Sequence, residues 1–367
     1  MRRAVRSAMR GAVSKLPYVQ ILRAFAALCV AAVHAQNDAS LVMARAGGSF
    51  TTSTSFPWLA GVDIFFVISG FIMVHASRRL FGAPGGTRIF LSHRIARIVP
   101  IYWATTALYL VVALISPALL NTDYVSPSFV AASLLFIPMA RPDGLVQPIY
   151  SLGWTLNYEM FFYALFAAAV VLPRRRAVPA LILVLMLLVG FGNGFAPLPQ
   201  PLGFWCDPII LEFALGMALG YLSEEGVALG RPLRIGLALI GLALLCLDFT
   251  KEGLTPALPR SLAYGLPAAL LVAAAGLPPQ RIQAPGQAYG QMMRLGVALG
   301  DASYALYLLH PFVIRALREL WVRGGLAHLT GPLGFVVVAL ACASAVAVLV
   351  NQRLEMPVTA QARRALA

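Results

Sequence analysis

Runs of about twenty apolar residues recur along the whole length of this 367-residue chain. A helix needs about 20 such residues to cross the roughly 30 Å hydrocarbon core of a bilayer. We therefore predict an all-α protein, a polytopic membrane helical bundle of about ten transmembrane helices. The runs fall at 17–36, 59–77, 99–117, 151–172, 177–195, 206–222, 233–249, 260–277, 302–322 and 331–350. A shorter apolar piece, Phe129–Met139, is predicted to be re-entrant or interfacial because it is too short to span.

The charge of the chain favours a membrane protein and argues against a nucleic-acid-binding one. Only 11% of the residues are charged, whereas about 25% are charged in a soluble domain. The net charge of +14 comes from arginines that lie mostly between apolar runs, which is typical of the positive-inside rule. Their distribution places both termini in the cytoplasm, although Arg315, Arg318 and Arg323 fall on the outer side and count against it.

The organisation that follows is a single membrane domain with short basic ends. We predict a cytoplasmic segment at 1–16, a transmembrane domain at 17–352 and a cytoplasmic tail at 353–367. The four cysteines are far apart and lack metal-ligand spacing, so no metal site is expected.

Two ionisable residues interrupt the first apolar run, Arg23 and His34. Eleven positions amount to three helical turns and about 20°, so the two side chains share one helix face roughly 16 Å apart along the axis. With the N-terminus inside, Arg23 lies in the cytoplasmic half and His34 near the outer boundary. Ionisable groups at such depths indicate a functional site. The structural alternatives are a snorkelling arginine and an interfacial histidine bonded to a neighbour.

Two carboxylates also enter the membrane. Asp63 begins the second span at nearly the depth of His34, where it could fix the tautomer of the imidazole; a helix N-cap is the alternative. Glu159 lies about eight residues into the fourth span, roughly 12 Å deep, and needs a partner such as Arg23 or a wet cavity. Ser151 and Tyr158 follow helical spacing toward the same interior.

Arg94 and Arg97 stand three residues apart at the inner start of the third span, so they project from one helical face. Guanidinium groups bond bidentately to phosphate, which makes the pair suited to a phosphorylated ligand. Positive-inside topology or lipid headgroups could equally account for them.

His310 lies near the middle of the ninth span and is followed by Pro311. Tyr304 and Tyr307 share its helix face at three-residue spacing. A proline kink beside an intramembrane histidine predicts a cavity wall, and a packing histidine is the alternative.

Together these stretches resemble the acyltransferase family 3 of integral membrane acyltransferases. The first span carries the family's Arg/Lys-x10-His pattern, and "GVDIFFVISGF", "HRIARIVP", "SLGWTLNYEMFFY" and "SYALYLLHPF" are similar to its later motifs, in the same order. The resemblance implies transfer of an acyl group, usually acetyl from cytoplasmic acetyl-CoA, to a carbohydrate hydroxyl across a bacterial inner (plasma) membrane. The fourth-span motif looks closest to members that act on exopolysaccharides.

Roles for the residues follow from the resemblance as hypotheses. The catalytic set is His34 as general base or acyl carrier, Asp63 to orient its ring, and Glu159 to stabilise the imidazolium or hold Arg23. The donor-binding set is Arg23, Arg94 and Arg97, and the substrate-binding set is Ser151, Tyr158 and His310.

The expected partners are the acyl-CoA donor, a polysaccharide or lipid-linked glycan acceptor, and the lipid bilayer, with no nucleic acid; the oligomeric state is left open. The alternative function is a secondary transporter or exporter of a glycan or lipid-linked precursor, which would also use intramembrane charges. Repeated halves, which many transporters show, are not evident in the sequence.

Overall fold

The computed structural model describes residues 16–115, 126–248, 258–277 and 290–366, and the chain in these ranges is mostly helical. The prediction of an all-α fold is confirmed, since the only sheet-like feature in the described ranges is an isolated bridge between Ala140 and Val146. The described α-helices of at least eight residues are α1 Pro17–Arg45, α2 Ala60–Ala76, α3 Gly86–Ile115, α4 Pro127–Leu134, α5 Trp154–Ala169, α6 Arg174–Gly194, α7 Leu211–Glu224, α8 Arg231–Leu247, α9 Gly265–Gly276, α10 Gln291–Asp301, α11 Ser303–Arg323, α12 Ala327–Val350 and α13 Met356–Leu366.

Helix length and apolarity support five to six membrane spans within the described ranges, fewer than the ten predicted. Five helical segments are long enough, and a sixth is added if α10 and α11, which meet at a bend of 76°, form one span. The helix Ala60–Ala76 and the pair of helical pieces from Arg260 to Gly276 are apolar but shorter. The five are Pro17–Arg45, Gly86–Ile115, Arg174–Gly194, Leu202–Glu224 and Ala327–Leu366.

Helix α1 lies at the centre of the bundle and contacts α2, α10, α11 and α12. It begins with Pro17, a residue preorganised for the first helical turn, and much of its length is alanine, the best helix former. Its buried alanines, among them Ala27, Ala35 and Ala39, are at most 6% exposed. Small side chains let neighbouring helices approach closely. Helix α1 therefore carries Arg23 and His34 through the middle of the fold.

Glycines allow α2 and α7 to pack against each other almost backbone to backbone. A β-carbon at Gly70 would overlap the carbonyl of Phe213, and one at Gly216 would overlap the carbonyl of Val67. This close approach fixes α2, and with it Ser69, beside the interior of the bundle.

The structure moves several predicted boundaries. Helix α3 begins at Gly86 rather than near residue 99, so Arg94 and Arg97 lie well inside a helix. Only the first part of the apolar piece at 129–139 is helical: it lies in α4, which ends at Leu134 and which Ser126 caps.

The C-terminal segment was predicted to be a short basic tail at 353–367. It instead continues as helix through a π-helical turn at Asn351–Glu355 into α13, which packs against α3. The contact with α3 makes α13 part of the bundle wall.

Candidate active site

A cavity opens among α1, α2, α3, α5 and α11, with about 760 Å³ of space between protein atoms when its mouth is included. We call it the arginine cavity, because Arg23, Arg94 and Arg97 all line it. The remaining polar wall includes the hydroxyls of Ser69, Thr155, Tyr163, Ser303, Tyr304 and Tyr307 and the carboxylate of Glu159, and the apolar wall includes Phe65, Phe66, Ile72 and Met73. The three donor-binding arginines proposed from sequence thus share one space.

The charges that line the arginine cavity are unequal. Three guanidinium groups face a single carboxylate, that of Glu159, which accepts hydrogen bonds from Ser69 Oγ at 3.1 Å and from the hydroxyl of Tyr163. Arg23 and Arg94 lie within electrostatic range of Glu159. The described residues that line the cavity therefore carry an excess of positive charge, which suits an anionic ligand.

Arg94 shows why a ligand would complete this cavity. Its guanidinium carbon stands 5.6 Å from the ring centre of Phe90 and 5.9 Å from that of Tyr163. Its Nε atom is buried and has no hydrogen-bond partner among the described residues. Buried donors in folded proteins are almost always paired, so an unpaired one beside a cavity points to an acceptor that arrives with the ligand.

Arg23 and Arg97 also lie within range of two carboxylates from the C-terminal half, Asp301 and Glu355. These acidic groups limit the repulsion between the two arginines before any ligand is bound. Arg23 lines the cavity rather than extending to a bilayer surface, and it donates a long hydrogen bond of 3.4 Å to Gln20.

The second feature of the site is a pair of histidines, His34 of α1 and His310 of α11. His34 Nδ1 lies 3.3 Å from His310 Nε2, and the ring centres are 5.0 Å apart. His310 is fully buried, whereas His34 is partly exposed. The sequence predicts a cavity wall at His310, but neither histidine is among the residues that line the arginine cavity. Sequence spacing also could not reveal that the two histidines are partners.

Backbone carbonyls determine the tautomers of this pair. A carbonyl only accepts, so His310 Nδ1 carries the proton that bonds to Leu306 O at 2.9 Å. The Nε2 of neutral His310 is then an acceptor, and it faces His34 Nδ1, which also lies 2.8 Å from Val30 O. Because Val30 O and His310 Nε2 are both acceptors, the proton of neutral His34 is on Nδ1. His34 Nε2 therefore has a free lone pair.

Asp63 does not have the predicted partner. Its carboxylate takes two hydrogen bonds from Arg260, Nε to Oδ1 at 3.0 Å and Nη2 to Oδ2 at 2.7 Å. The prediction that Asp63 orients His34 is therefore wrong, because a bidentate guanidinium is the stronger partner for a carboxylate. The alternative of an N-cap is not observed either, since Asp63 lies inside the first turn of α2.

The carboxylate within electrostatic range of His34 is instead Asp38, one turn further along α1. Asp38 accepts a hydrogen bond of 2.7 Å from Arg318. The spacing of four residues between His34 and Asp38 was the sequence signal that could have identified it.

Ser151 and Tyr158, predicted to contact substrate, are not among the lining of the arginine cavity. Ser151 begins a short 3-10 turn at Ser151–Gly153. Tyr158 is buried and stacks on Phe204 with ring centres 3.9 Å apart, so it packs among aromatic rings. Of residues 151–158, Thr155 and Leu156 line the cavity, and Thr155 donates to the hydroxyl of Tyr307 at 3.1 Å.

Tyr307 connects the two parts of the site. It lines the arginine cavity, and its ring centre lies 6.4 Å from that of His310. At the other side of the histidine pair, Arg315 is within electrostatic range of His34, Tyr109 and Tyr150. From the sequence alone, Arg315 is only a positive charge on the outer side that counts against the predicted orientation.

The fold and this site describe a multi-pass membrane protein in which Tyr307 lies between a cationic cavity and a pair of histidines that do not themselves line it. This arrangement is suited to group transfer from an anionic donor. Comparison with known families agrees: the sequence model of the acyltransferase domain matches residues 16–351. The chain belongs to this family of membrane O-acyltransferases, which confirms the resemblance found in the sequence.

Two relatives are similar over most of their length. The exopolysaccharide production protein ExoZ of Rhizobium meliloti (strain 1021) is 35% identical over 268 residues, which cover 73% of this chain and 80% of the relative. The acyltransferase MdmB of Streptomyces mycarofaciens is 26% identical over 329 residues, which cover 83% of this chain and 80% of the relative. No solved structure matches the chain.

Proposed function

We propose that this protein transfers an acyl group, in the first instance acetyl, from cytoplasmic acyl-CoA to a carbohydrate hydroxyl on the extracytoplasmic side of a bacterial plasma membrane. The observation that carries the proposal is the convergence of Arg23, Arg94 and Arg97 on one cavity, whose lining residue Tyr307 lies next to His310 of the histidine pair. Membership of the acyltransferase family favours this function over the transporter that the intramembrane charges alone would also allow.

The arginine cavity is proposed to hold the acyl donor. The nucleotide end of acyl-CoA carries phosphate groups, and charge-assisted hydrogen bonds from arginine are the strong kind. The buried, unpaired Nε of Arg94 would gain its missing acceptor when the donor binds. The slender acyl-bearing arm would then extend past Tyr304 and Tyr307 toward the histidines.

His34 is the proposed base. The acceptor oxygen forms a bond to the thioester carbonyl carbon while its proton passes to His34 Nε2. The carbon–sulfur bond breaks, and the leaving thiolate takes the proton back, so the products are the ester and free CoA thiol. In the covalent alternative the same lone pair attacks the thioester carbonyl carbon and expels the CoA thiolate. The acceptor oxygen then bonds to the acyl carbon as the bond to the imidazole breaks, and the hydroxyl proton passes to the thiolate.

The neighbours of His34 have supporting roles in this scheme. His310 holds the Nδ1 proton of His34 in place, the task that a carboxylate performs in a catalytic triad. Arg315 lies near enough to His34 to stabilise negative charge on the carbonyl oxygen or on the acceptor. Glu159, which faces the arginines, is assigned to charge balance in the donor site rather than to proton transfer.

The acceptor and orientation are further parts of the proposal. The relative that is 35% identical is named for exopolysaccharide production, and we propose an exopolysaccharide or its lipid-linked precursor as the acceptor here. About ten spans with both termini in the cytoplasm, as the positive-inside rule indicates, would place the arginine cavity inward and His34 outward.

A sided assay tests the proposal. Purified protein is reconstituted into liposomes loaded with base-deacylated exopolysaccharide, and vesicles are sorted by the accessibility of a C-terminal tag. Acetyl-labelled acetyl-CoA supplied outside should label the enclosed polysaccharide only when the tag is outside, and the H34A variant should give no label. Transfer only when donor and His34 share one side, or equal transfer by H34A, would refute the proposal.

A further inference from the structure

A second cavity of about 420 Å³ lies on the other side of Arg94. It sits between the end of α2, the turn that follows, α3 and the C-terminal helix α13. We call it the tail pocket and define it by Ser77, Phe90, His93, Arg94 and Arg363, which line it. Arg94 lines both this pocket and the arginine cavity, so the two spaces meet at one guanidinium.

The tail pocket is rich in hydrogen-bond donors. Among the described residues that line it are two arginines and a histidine but no carboxylate. Ser77 is only 1% exposed, and its hydroxyl has no hydrogen-bond partner among the residues that the structure describes. An unpaired buried hydroxyl beside clustered cations favours an anion with several acceptor oxygens, which describes a phosphate group.

Arg363 reaches this pocket because the C-terminal segment is held against the bundle. Asn351 donates through its amide to the carbonyl of Asp301 at 3.2 Å and to Glu355 at 3.0 Å, which anchors the π-helical turn before α13. Helix α13 then packs on α3, and Arg363 comes within electrostatic range of His93. The pocket wall is therefore made from two segments far apart in sequence.

We infer that the tail pocket binds the 3′-phosphate on the ribose of the acyl donor, with Arg363 as a specificity residue. The inference rests on the proposed function. CoA carries a diphosphate and a separate ribose 3′-phosphate, and two cationic spaces that meet at Arg94 match two phosphate positions on one molecule. The 3′-phosphate is a monoester with a charge near −2 at neutral pH, so it gains most from a site with several cationic donors.

Replacing Arg363 tests this inference with a matched control. Arg363 and its neighbour Arg364 are both exposed on α13, so R363Q and R364Q remove the same charge from adjacent surface positions. Dissociation constants of CoA and dephospho-CoA are measured on the full-length protein in phosphatidylcholine nanodiscs. The wild type and R364Q should bind CoA about tenfold more tightly than dephospho-CoA, and R363Q should bind the two equally. R363K, which keeps the charge but loses the fork of donors, should give an intermediate ratio.

The other outcomes are distinguishable. If R363Q has the same ratio of the dissociation constants of dephospho-CoA and CoA as the wild type, the inference is overturned. CoA binding by the wild type would still support the proposed function. Failure of the wild type to bind either nucleotide would refute both. A lipid headgroup is the other possible source of phosphate. If it binds here, phosphatidylglycerol should raise the melting temperature of the wild type and R364Q but not of R363Q, and R363Q should leave the ratio of nucleotide dissociation constants unchanged. That result would make the pocket a lipid site, and the inference would be wrong.

Discussion

The arginine cavity and the histidine pair differ in how complete each is without a ligand. Among the described residues, the lining of the cavity has three guanidinium groups and one carboxylate, with Asp301 and Glu355 also within electrostatic range of Arg23 and Arg97, and the buried Nε of Arg94 has no partner. In the histidine pair, both Nδ1 atoms have carbonyl partners and the two rings bond to each other. The arginine cavity therefore needs a ligand to pair its polar groups, whereas the histidine pair already has the geometry that proton transfer requires.

This difference separates binding from reaction along α1. Arg23 and His34 are eleven residues apart, so the same helix serves the two regions about 16 Å from each other. Substitutions in the cavity should raise the donor KM, and substitutions in the histidine pair should lower kcat. The following changes test that division, beginning with the largest expected effect on activity.

The largest effect is expected from H34A. Loss of a general base lowers rates by about 10²- to 10⁴-fold, so kcat should fall by that factor with the donor KM nearly unchanged. The measurement is initial-rate transfer from labelled acetyl-CoA to deacylated polysaccharide. His328 is exposed, and H328A is the matched control that should keep the wild-type rate. Wild-type kcat in H34A would remove His34 from the reaction.

Replacement of both Arg94 and Arg97 by glutamine should raise the donor KM by about 10²-fold, since each lost charge-assisted hydrogen bond weakens binding about tenfold. The kcat at saturating donor should change far less. R176Q, at an exposed position on α6, removes a basic residue outside the cavity and should leave KM unaltered. An equal KM in R94Q/R97Q and R176Q would show that the pair serves only topology.

His310 should affect kcat through His34. H310F removes the acceptor that faces His34 Nδ1, and we expect kcat to fall by about 10- to 100-fold with donor KM unchanged. H310Q can place an amide oxygen where Nε2 stood, so it should recover a large part of the lost rate. A residue that only packs would give the reverse order, because phenylalanine fills the buried space better than a polar amide.

A smaller effect on activity is expected from E159Q. The variant removes the negative charge that faces the arginines, so the free energy of unfolding without donor should drop by about 1–3 kcal/mol. Acetyl-CoA should then raise the melting temperature of E159Q more than that of the wild type, because donor phosphates replace the lost charge. D143N, at a half-exposed loop carboxylate, should show no such gain. A kcat for E159Q as low as that of H34A would return Glu159 to the catalytic set.

The smallest effect on activity is expected from D63N. Asp63 is fully buried against Arg260, so the change should lower stability while kcat per folded molecule stays within about twofold of the wild type. Folded protein is quantified by size-exclusion chromatography before each assay. A kcat loss comparable to that of H310F would show that Asp63 contributes to the reaction at His34, although its carboxylate is paired with Arg260.

Local spacing predicted part of this site. The grouping of Arg94 with Arg97 follows from a three-residue interval on one helix, and the shared face of Arg23 and His34 follows from an eleven-residue interval. Apolar run length likewise predicted the helical fold. Arg94 and Arg97 do line one cavity, and the described chain is helical, because both inferences depend on residues that are neighbours along the chain. The shared face of Arg23 and His34 stays a prediction, since only Arg23 lines that cavity.

The sequence alone did not predict which polar residues far apart in the chain contact each other. Asp63 binds Arg260, 197 residues away, and His34 meets His310 across 276 residues. Many arrangements of the apolar runs satisfy the same burial, so no periodicity fixes which polar groups meet. The same limit applies to the C-terminal segment: its arginines indicated charge, whereas the packing of α13 on α3, which brings Arg363 to the tail pocket, depends on tertiary contact.

The central claim, that donor binding and acyl transfer belong to different regions, is tested most directly by equilibrium binding of labelled acetyl-CoA to three purified proteins. The account predicts that H34A binds the donor as tightly as the wild type and that R94Q/R97Q binds it about 10²-fold more weakly. If H34A loses donor binding, or R94Q/R97Q retains it, the division of labour described here is contradicted.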